Sequence, residues 1–106
     1  MASLLKHLTD ENFAAEIAQG VVLVDFFAAW CGPCRMLTPI IEEVAKHFQN
    51  RAAVAKMDID AEPKSAEEYQ VTSVPTMILF KNGKEVERLV GLRDAQSIIE
   101  AVEAVL

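Results

Sequence analysis

The sequence predicts an α/β domain built on a central mixed sheet of about five strands, with about four helices flanking both faces. Apolar runs of strand length alternate with amphipathic helical segments over the first part of the chain. An Asn-Gly turn at 82–83 then joins two further strands, and a last amphipathic helix follows. Strands joined through helices tend to be parallel and hairpin strands are antiparallel, so we expect a mixed sheet.

The chain has 106 residues, of which 52% are hydrophobic, and its formal net charge is −6. This length fits one domain over 1–106, with a core that needs neither a metal nor several disulfides. A nucleic-acid-binding protein would carry a basic patch, so the net negative charge argues against a nucleic-acid partner.

The N-terminal residues lack the apolar segment of a secretion signal, since the acidic Asp10 and Glu11 arrive early. No apolar run reaches the roughly 18 residues of a membrane-spanning helix. We therefore expect a cytoplasmic protein with no membrane partner, and we expect it to be a monomer. In the cytoplasm, two cysteines indicate redox or metal chemistry rather than a disulfide-stapled scaffold.

The first elements lead into one buried strand. Residues 4–8 are expected to form a short strand, possible at a sheet edge, and Thr9 is the expected N-cap of a helix that ends near residue 18. The run at 21–29 then combines eight apolar residues with one acid, Asp25. Such a run is typical of a central strand covered on both faces.

A long helix over about 32–48 follows, and Pro39 inside it is expected to cause a kink. Its expected core-facing residues are Met36, Leu37, Ile40, Ile41, Val44, Ala45 and Phe48. The remaining elements are a strand at 52–59, a helix at 62–69, strands at 76–80 and 85–90, and a helix at 94–105.

Both cysteines follow the central strand, separated by Gly32 and Pro33. At a helix start, positions i and i+3 have Cβ atoms roughly 5–6 Å apart, whereas a disulfide needs about 3.5–4.5 Å. A small local adjustment therefore closes or opens a Cys31–Cys34 bridge. The Cys31 sulfur can meet the unpaired N–H groups of the first helical turn, which stabilise a thiolate. Cys34 lies one turn further in and is expected to be the more buried thiol.

Other uses of a Cys-x-x-Cys pair fit less well. A structural disulfide across so short a loop constrains the unfolded chain little. A zinc site needs about four ligands, and the remaining His7 and His47 are far apart in sequence. Haem attachment needs a histidine after the second cysteine, where this chain has Arg35. The pattern favours redox chemistry at the cysteine pair itself, with no metal and no other cofactor.

Five segments together resemble the thioredoxin family over nearly the whole chain. Residues 30–34, Trp-Cys-Gly-Pro-Cys, match the active-site pentapeptide of that family. The Val-Asp-Phe at 24–26 resembles its buried acid, and the Ser-Val-Pro-Thr at 73–76 resembles its cis-proline loop. The Asn-Gly-Lys at 82–84 and the Val-Gly at 90–91 complete the set. The resemblance implies the thioredoxin fold.

The same resemblance implies a protein-disulfide reductase. Cys31 would attack a client disulfide, and Cys34 would then resolve the mixed disulfide and leave a Cys31–Cys34 bridge. The implied partners are disulfide-containing client proteins and a separate reductase that recharges the dithiol. Two alternatives stay open: an oxidase or isomerase of the same fold, and a non-catalytic structural subunit of another enzyme.

Asp25 is predicted to be a buried acid, because alternation places it with Leu23 and Phe27 while both strand faces are apolar. A buried, poorly paired carboxyl has a raised pKa and can exchange a proton with Cys34. The alternative is an aspartate that only orders local backbone. In the family the matching acid acts as a proton shuttle near a lysine, which Lys56 would match. A strand lysine that extends to solvent is the other interpretation of Lys56.

The Val74–Pro75 bond would be trans by default, and only the resemblance implies a cis bond that packs against the dithiol. The resemblance also implies an apolar docking surface around Cys31, formed by Trp30, Gly32, Pro33, Val74, Gly91 and Leu92. A core position for Trp30 and a plain strand-end role for Gly91 stay open as alternatives. The chain departs from the family pattern in an acidic surface, formed by Asp58, Asp60, Glu62 and Asp94, so partner preference is not carried over.

Overall fold

The computed structural model describes residues 4–106. Within them, five strands and four helices follow one another along the chain, alternating as far as the hairpin of the last two strands. In chain order the elements are β1 (Lys6–His7), α1 (Phe13–Ile17), β2 (Val21–Phe27), α2 (Gly32–His47), β3 (Ala53–Asp58), α3 (Pro63–Glu68), β4 (Thr76–Lys81), β5 (Lys84–Val90) and α4 (Ala95–Glu103).

The strands form one mixed sheet in the order β1-β3-β2-β4-β5. The central strand β2 runs parallel to β3 and antiparallel to β4, and the short β1 pairs with β3 at one edge. β4 and β5 form the antiparallel hairpin predicted from the Asn-Gly turn. Asn82 and Gly83 both have positive φ, 51° and 86°, as a tight two-residue hairpin loop requires. The predicted mixed five-stranded sheet is confirmed.

Both faces of β2 are buried, each against a different pair of helices. Val21 and Leu23 pack in a cluster that includes residues of α2 and α4, such as Leu37 and Ile98. The alternate residues Val22, Val24 and Phe26 pack in a second cluster with residues of α1 and α3. This two-sided burial explains why β2 reads as a nearly continuous apolar run.

Two local predictions were wrong. The helix predicted from Thr9 begins only at Phe13, with Asn12 as its N-cap. The Thr9 hydroxyl instead accepts a hydrogen bond from the Asn12 N–H at 3.1 Å, which stabilises the turn before the helix. Met36, expected to face the core, is 62% exposed, whereas its neighbour Leu37 is fully buried.

The helix α2 remains continuous through Pro39 and ends at His47, close to its predicted end. None of the helices formed by residues 4–106 has the length and apolarity needed to cross a membrane. The strand β2 and the helix α2 meet at the loop of residues 28–31, which carries the candidate site.

Candidate active site

The two cysteines lie at the N-terminal end of α2. Cys31 is the N-cap residue, with extended backbone angles, and its sulfur accepts a hydrogen bond from the Cys34 N–H at 3.2 Å. The two sulfurs form a disulfide, and the Cα atoms lie 5.3 Å apart, within the range that a disulfide spans. The predicted contact between the Cys31 sulfur and the first helical turn is therefore present.

Apolar groups surround this disulfide. Cys31 is 4% exposed and Cys34 is 2% exposed, so Cys31 is the more exposed of the two by a small margin only. They cluster with the buried Ala28, and the half-buried Phe27, Ile59 and Val74 pack against them. In the bridged form the sulfurs are thus largely covered by the chain's own residues.

The loop before β4 packs against the disulfide from a distant part of the chain. The Val74–Pro75 peptide bond is cis. The Val74 carbonyl oxygen lies 3.7 Å from the Cys31 sulfur, a van der Waals contact while that sulfur has no proton to donate. The Gly91 N–H donates to the Pro75 carbonyl at 2.9 Å, which brings the end of β5 beside this loop.

Trp30 is exposed rather than part of the core. Its side chain is 69% accessible, and its indole N–H donates to a carboxylate oxygen of Asp60 at 2.9 Å. The sequence indicated Asp60 only as part of an acidic surface, and its contact with Trp30 was missed. Arg35 also contacts this loop, because its guanidinium donates to the Ala29 carbonyl at 2.8 Å.

The other predicted docking residues are accessible to different degrees. Pro33 is exposed, Gly32 is half-buried, and Leu92 is 42% exposed. A Cβ atom added at Gly32 would meet nothing within 4 Å, so the free chain does not require a glycine there. Gly91 has a φ of +93°, a conformation that favours glycine over any residue with a Cβ.

Asp25 is completely buried in the middle of β2, as the alternation predicted. Its neighbours across the sheet are Lys56 on β3 and the apolar Met77 on β4. Neither carboxylate oxygen has a hydrogen-bond partner among residues 4–106. Burial raises the pKa of Asp25 to about 7, an effect that the positive charge of Lys56 opposes.

Lys56 is also buried, at 8% exposure, so its ammonium does not extend to solvent. The ammonium donates to the Thr38 hydroxyl at 2.9 Å and lies 4.4 Å from the centre of the Phe27 ring. The Thr38 hydroxyl in turn donates to the Cys34 carbonyl at 3.2 Å. Thr38 was missed from the sequence, although a threonine four residues after Cys34 in a helix can make this bond.

No group of three or more histidine, cysteine or acidic residues within 4–106 is arranged to hold a metal ion. His7 and His47 are both exposed, and His47 lies 3.7 Å from a carboxylate oxygen of Glu103.

A Cys31–Cys34 disulfide at a helix start, in a chain whose central strand carries a buried acid with a pKa near neutrality, is typical of thiol–disulfide oxidoreductases. Comparison with known proteins agrees: the Thioredoxin family model matches residues 4–104. The chain is similar to the thioredoxin of Chlamydia trachomatis serovar D, at 52% identity over 99 residues, covering 93% of this chain and 96% of that protein.

A thioredoxin of Staphylococcus aureus is 41% identical over 96 residues, which cover 91% of this chain and 92% of that protein. The chain belongs to the thioredoxin family. It is a thiol–disulfide oxidoreductase that reduces protein disulfides through Cys31 and Cys34. Neither the geometry nor the relatives favour the structural-subunit or the oxidase and isomerase alternatives.

Proposed function

We propose that Cys31 is the attacking thiol, that Cys34 resolves the mixed disulfide, and that Asp25 accepts and returns the proton of Cys34. The observation that carries this assignment is the N-cap position of Cys31, whose sulfur accepts the Cys34 N–H. When the bridge is open, this donor and the helix dipole favour a thiolate at Cys31. Cys34 lies inside the first turn and has no such cap.

The reaction then proceeds in two exchanges. The Cys31 thiolate attacks one sulfur of the client disulfide, and the other client sulfur leaves as a thiolate and takes up a proton. Cys34 next gives its proton to Asp25 and attacks the Cys31 sulfur, which releases the second client thiolate, and that thiolate takes up a proton from water. The client gains two electrons and two protons, and the Cys31–Cys34 bridge forms.

The surface around Cys31 supports docking of an extended client segment. Trp30 and Leu92 present apolar area to solvent. Pro33, which lies between the two cysteines in sequence, is also exposed. Val74 and Gly91 border the cis-Pro75 loop, which contacts the Cys31 sulfur. Such exposed apolar groups favour clients that cover them while the client disulfide reaches the Cys31 sulfur.

For the wider context we propose a monomer of one domain that works in the cytoplasm, with disulfide-containing proteins as clients. A separate reductase would recharge the dithiol, because the sequence contains no nucleotide or flavin motif and electrons must then arrive through protein contact. Neither recharging nor the client exchange calls for a metal, a membrane or nucleic acid.

An equilibrium titration against glutathione tests the direction of the proposed function. The protein has a single tryptophan, Trp30, beside the cysteines, so its fluorescence can report the bridge. In glutathione poised at about −220 to −260 mV we expect mostly the disulfide form, as a reductant stronger than glutathione requires. The double variant Cys31→Ser with Cys34→Ser, which can form neither the bridge nor a glutathione adduct, controls for changes unrelated to the bridge. A protein that is mostly dithiol under these conditions would be an oxidase or isomerase.

A further inference from the structure

The cation nearest to Asp25 along the sheet is hydrogen-bonded to another residue. Lys56 is the direct partner of Asp25 in the β2–β3 register, yet its ammonium donates to the Thr38 hydroxyl at 2.9 Å. Both carboxylate oxygens of Asp25 remain without a hydrogen-bond partner among the residues described. Two buried groups of opposite charge therefore lie on adjacent strands while the hydrogen bond goes to a neutral hydroxyl.

The Thr38 hydroxyl stabilises this position of the Lys56 ammonium through two hydrogen bonds. An ammonium can only donate, so the hydroxyl accepts from Lys56 and gives its own proton to the Cys34 carbonyl at 3.2 Å. The Phe27 ring, 4.4 Å from the ammonium nitrogen, supplies a second favourable contact for the cation. Lys56 is thus held by α2 and by an aromatic face.

We infer that Thr38 is a positioning residue that holds the Lys56 ammonium away from Asp25, and so keeps the Asp25 carboxyl free to exchange a proton with Cys34. The inference rests on the proposed role of Asp25. The Thr38 hydroxyl also links the cation to the backbone of the resolving cysteine, since it bonds the Cys34 carbonyl.

Among the neighbours of Asp25, Lys56 carries the charge that affects the pKa of its carboxyl. The facing residue of β4 is the apolar Met77. On the helix side, Asp25 shares its strand face with Leu23, which packs in one cluster with Leu37 of α2, and Cys34 precedes Leu37 by one turn. The positive charge of Lys56 is the one that lowers the proton affinity of this carboxyl, and its distance sets how strongly.

Loss of the Thr38 hydroxyl should change the pKa of Asp25, which can be measured. In Thr38→Val the side chain keeps its shape but cannot accept from Lys56, so the buried ammonium needs another acceptor. The unpaired Asp25 carboxylate on the adjacent strand is placed to provide one. Direct pairing with an opposite charge lowers a carboxyl pKa by about 1–3.

The test is a carbon-13 NMR titration of the Asp25 carboxyl in the oxidised protein, where the cysteines do not titrate. We expect the Thr38→Val midpoint to lie about one pH unit or more below that of the parent chain. Thr38→Ser, which restores the hydroxyl, should titrate with the parent. An unchanged or raised midpoint in Thr38→Val would overturn the inference.

A second background separates the cation from any general disturbance of packing. Lys56→Met removes the charge, so adding Thr38→Val to it should leave the Asp25 midpoint where Lys56→Met alone puts it. An equal downward shift in both backgrounds would mean that Thr38 acts without Lys56. Because the titration requires no turnover, it stays informative even if Asp25 proves unnecessary for disulfide reduction.

Discussion

Asp25 is the residue whose surroundings depart most from those of an ordinary aspartate. Its side chain is fully buried, its oxygens have no hydrogen-bond partner among residues 4–106, and its pKa is raised to about 7. A carboxyl with this proton affinity is half-ionised near neutral pH and can both accept and return a proton there. The raised pKa of Asp25 also lowers the stability of the fold where the carboxyl is ionised.

The sign of that cost follows from the direction of the pKa change. Because the folded pKa of Asp25 lies above its unfolded value of 3.8, its contribution to stability is fully present below the unfolded pKa. The contribution is lost as pH rises through the folded pKa of about 7, a difference worth roughly 4 kcal/mol in all. Ionised Asp25 therefore destabilises the fold at alkaline pH.

Asp25→Asn should remove this pH dependence. Between pH 5 and pH 8 the free energy of unfolding of the variant, relative to the parent, should rise by roughly 2–3 kcal/mol. The unpaired amide donors of asparagine add a cost that does not change with pH and so cancels from this comparison. Urea unfolding of the oxidised proteins at the two pH values measures it, with exposed Glu42→Gln as the control for lost charge. An equal difference at both pH values would contradict the buried-acid account.

The same variant should reduce protein disulfides more slowly. Asparagine cannot accept the Cys34 proton, and general-base assistance is commonly worth about 10²–10⁴-fold where proton transfer limits the rate. Water can partly replace the carboxylate, so we expect a loss of up to about 100-fold, largest near neutral pH. Initial rates of reduction of a protein disulfide measure this, again against Glu42→Gln. Wild-type rates in Asp25→Asn would exclude the proton shuttle.

For single residues, the sequence was informative where the pattern of apolar residues determined which side chains are buried. The burial of Asp25 was predictable because apolar residues occupy both faces of its strand, so neither face could expose the carboxyl to water. Thr38 carried no comparable signal, since a threonine on a helix is most often an ordinary surface residue. Its partners come from β3 and from the preceding helical turn, and only tertiary structure brings them together.

The helix α2 combines two functions along its length. Its first turn caps the Cys31 sulfur, while residues further along, such as Leu37 and Ile41, are fully buried against the sheet. Met36 lies next to Leu37 in sequence but points to solvent at 62% exposure. The anchoring of the reactive turn therefore depends on the buried stripe, which begins within one turn of Cys34.

Neighbouring substitutions on α2 should separate the buried stripe from the exposed face. Leu37→Ala removes a fully buried side chain and should lower the free energy of unfolding by about 2–5 kcal/mol. Met36→Ala, one residue away, should change it by about 0.5 kcal/mol or less because its side chain is exposed. Urea unfolding of both variants checks the pair. Similar losses in both would contradict the orientation of α2.

Elements were predictable where local chemistry dictates the backbone. The hairpin of β4 and β5 followed from Asn82-Gly83, because both residues accept the positive φ that such a turn needs. The start of α1 was predicted too early, since Thr9 makes a capping bond to Asn12 within a turn that precedes the helix. Met36 was misassigned because helical periodicity does not say where an apolar stripe ends.

At the scale of the whole molecule, sheet topology assembles the site from distant segments. The N-terminus of α2, the loop at 73–76 before β4 and the end of β5 at 90–91 meet around Cys31. Composition and periodicity could not show this convergence, and a trans Val74–Pro75 bond would have been the default. The resemblance to the thioredoxin family implied both features, and the structure shows both.

In the proposed mechanism, client reduction passes through a mixed disulfide on Cys31 that Cys34 resolves. Without the resolving thiol the mixed disulfide persists, so reduced Cys34→Ser should accumulate covalent adducts with client proteins. Cys31→Ser lacks the nucleophile that the helix start activates and should form almost none.

Non-reducing gel electrophoresis after incubation of each reduced variant with a disulfide-containing client gives the most direct test. We predict adducts that are abundant with Cys34→Ser, nearly absent with Cys31→Ser, and released by added dithiothreitol. The double variant Cys31→Ser with Cys34→Ser is the background control. Equal trapping by the two single variants, or preferential trapping by Cys31→Ser, would contradict the assignment of Cys31 as the attacking thiol.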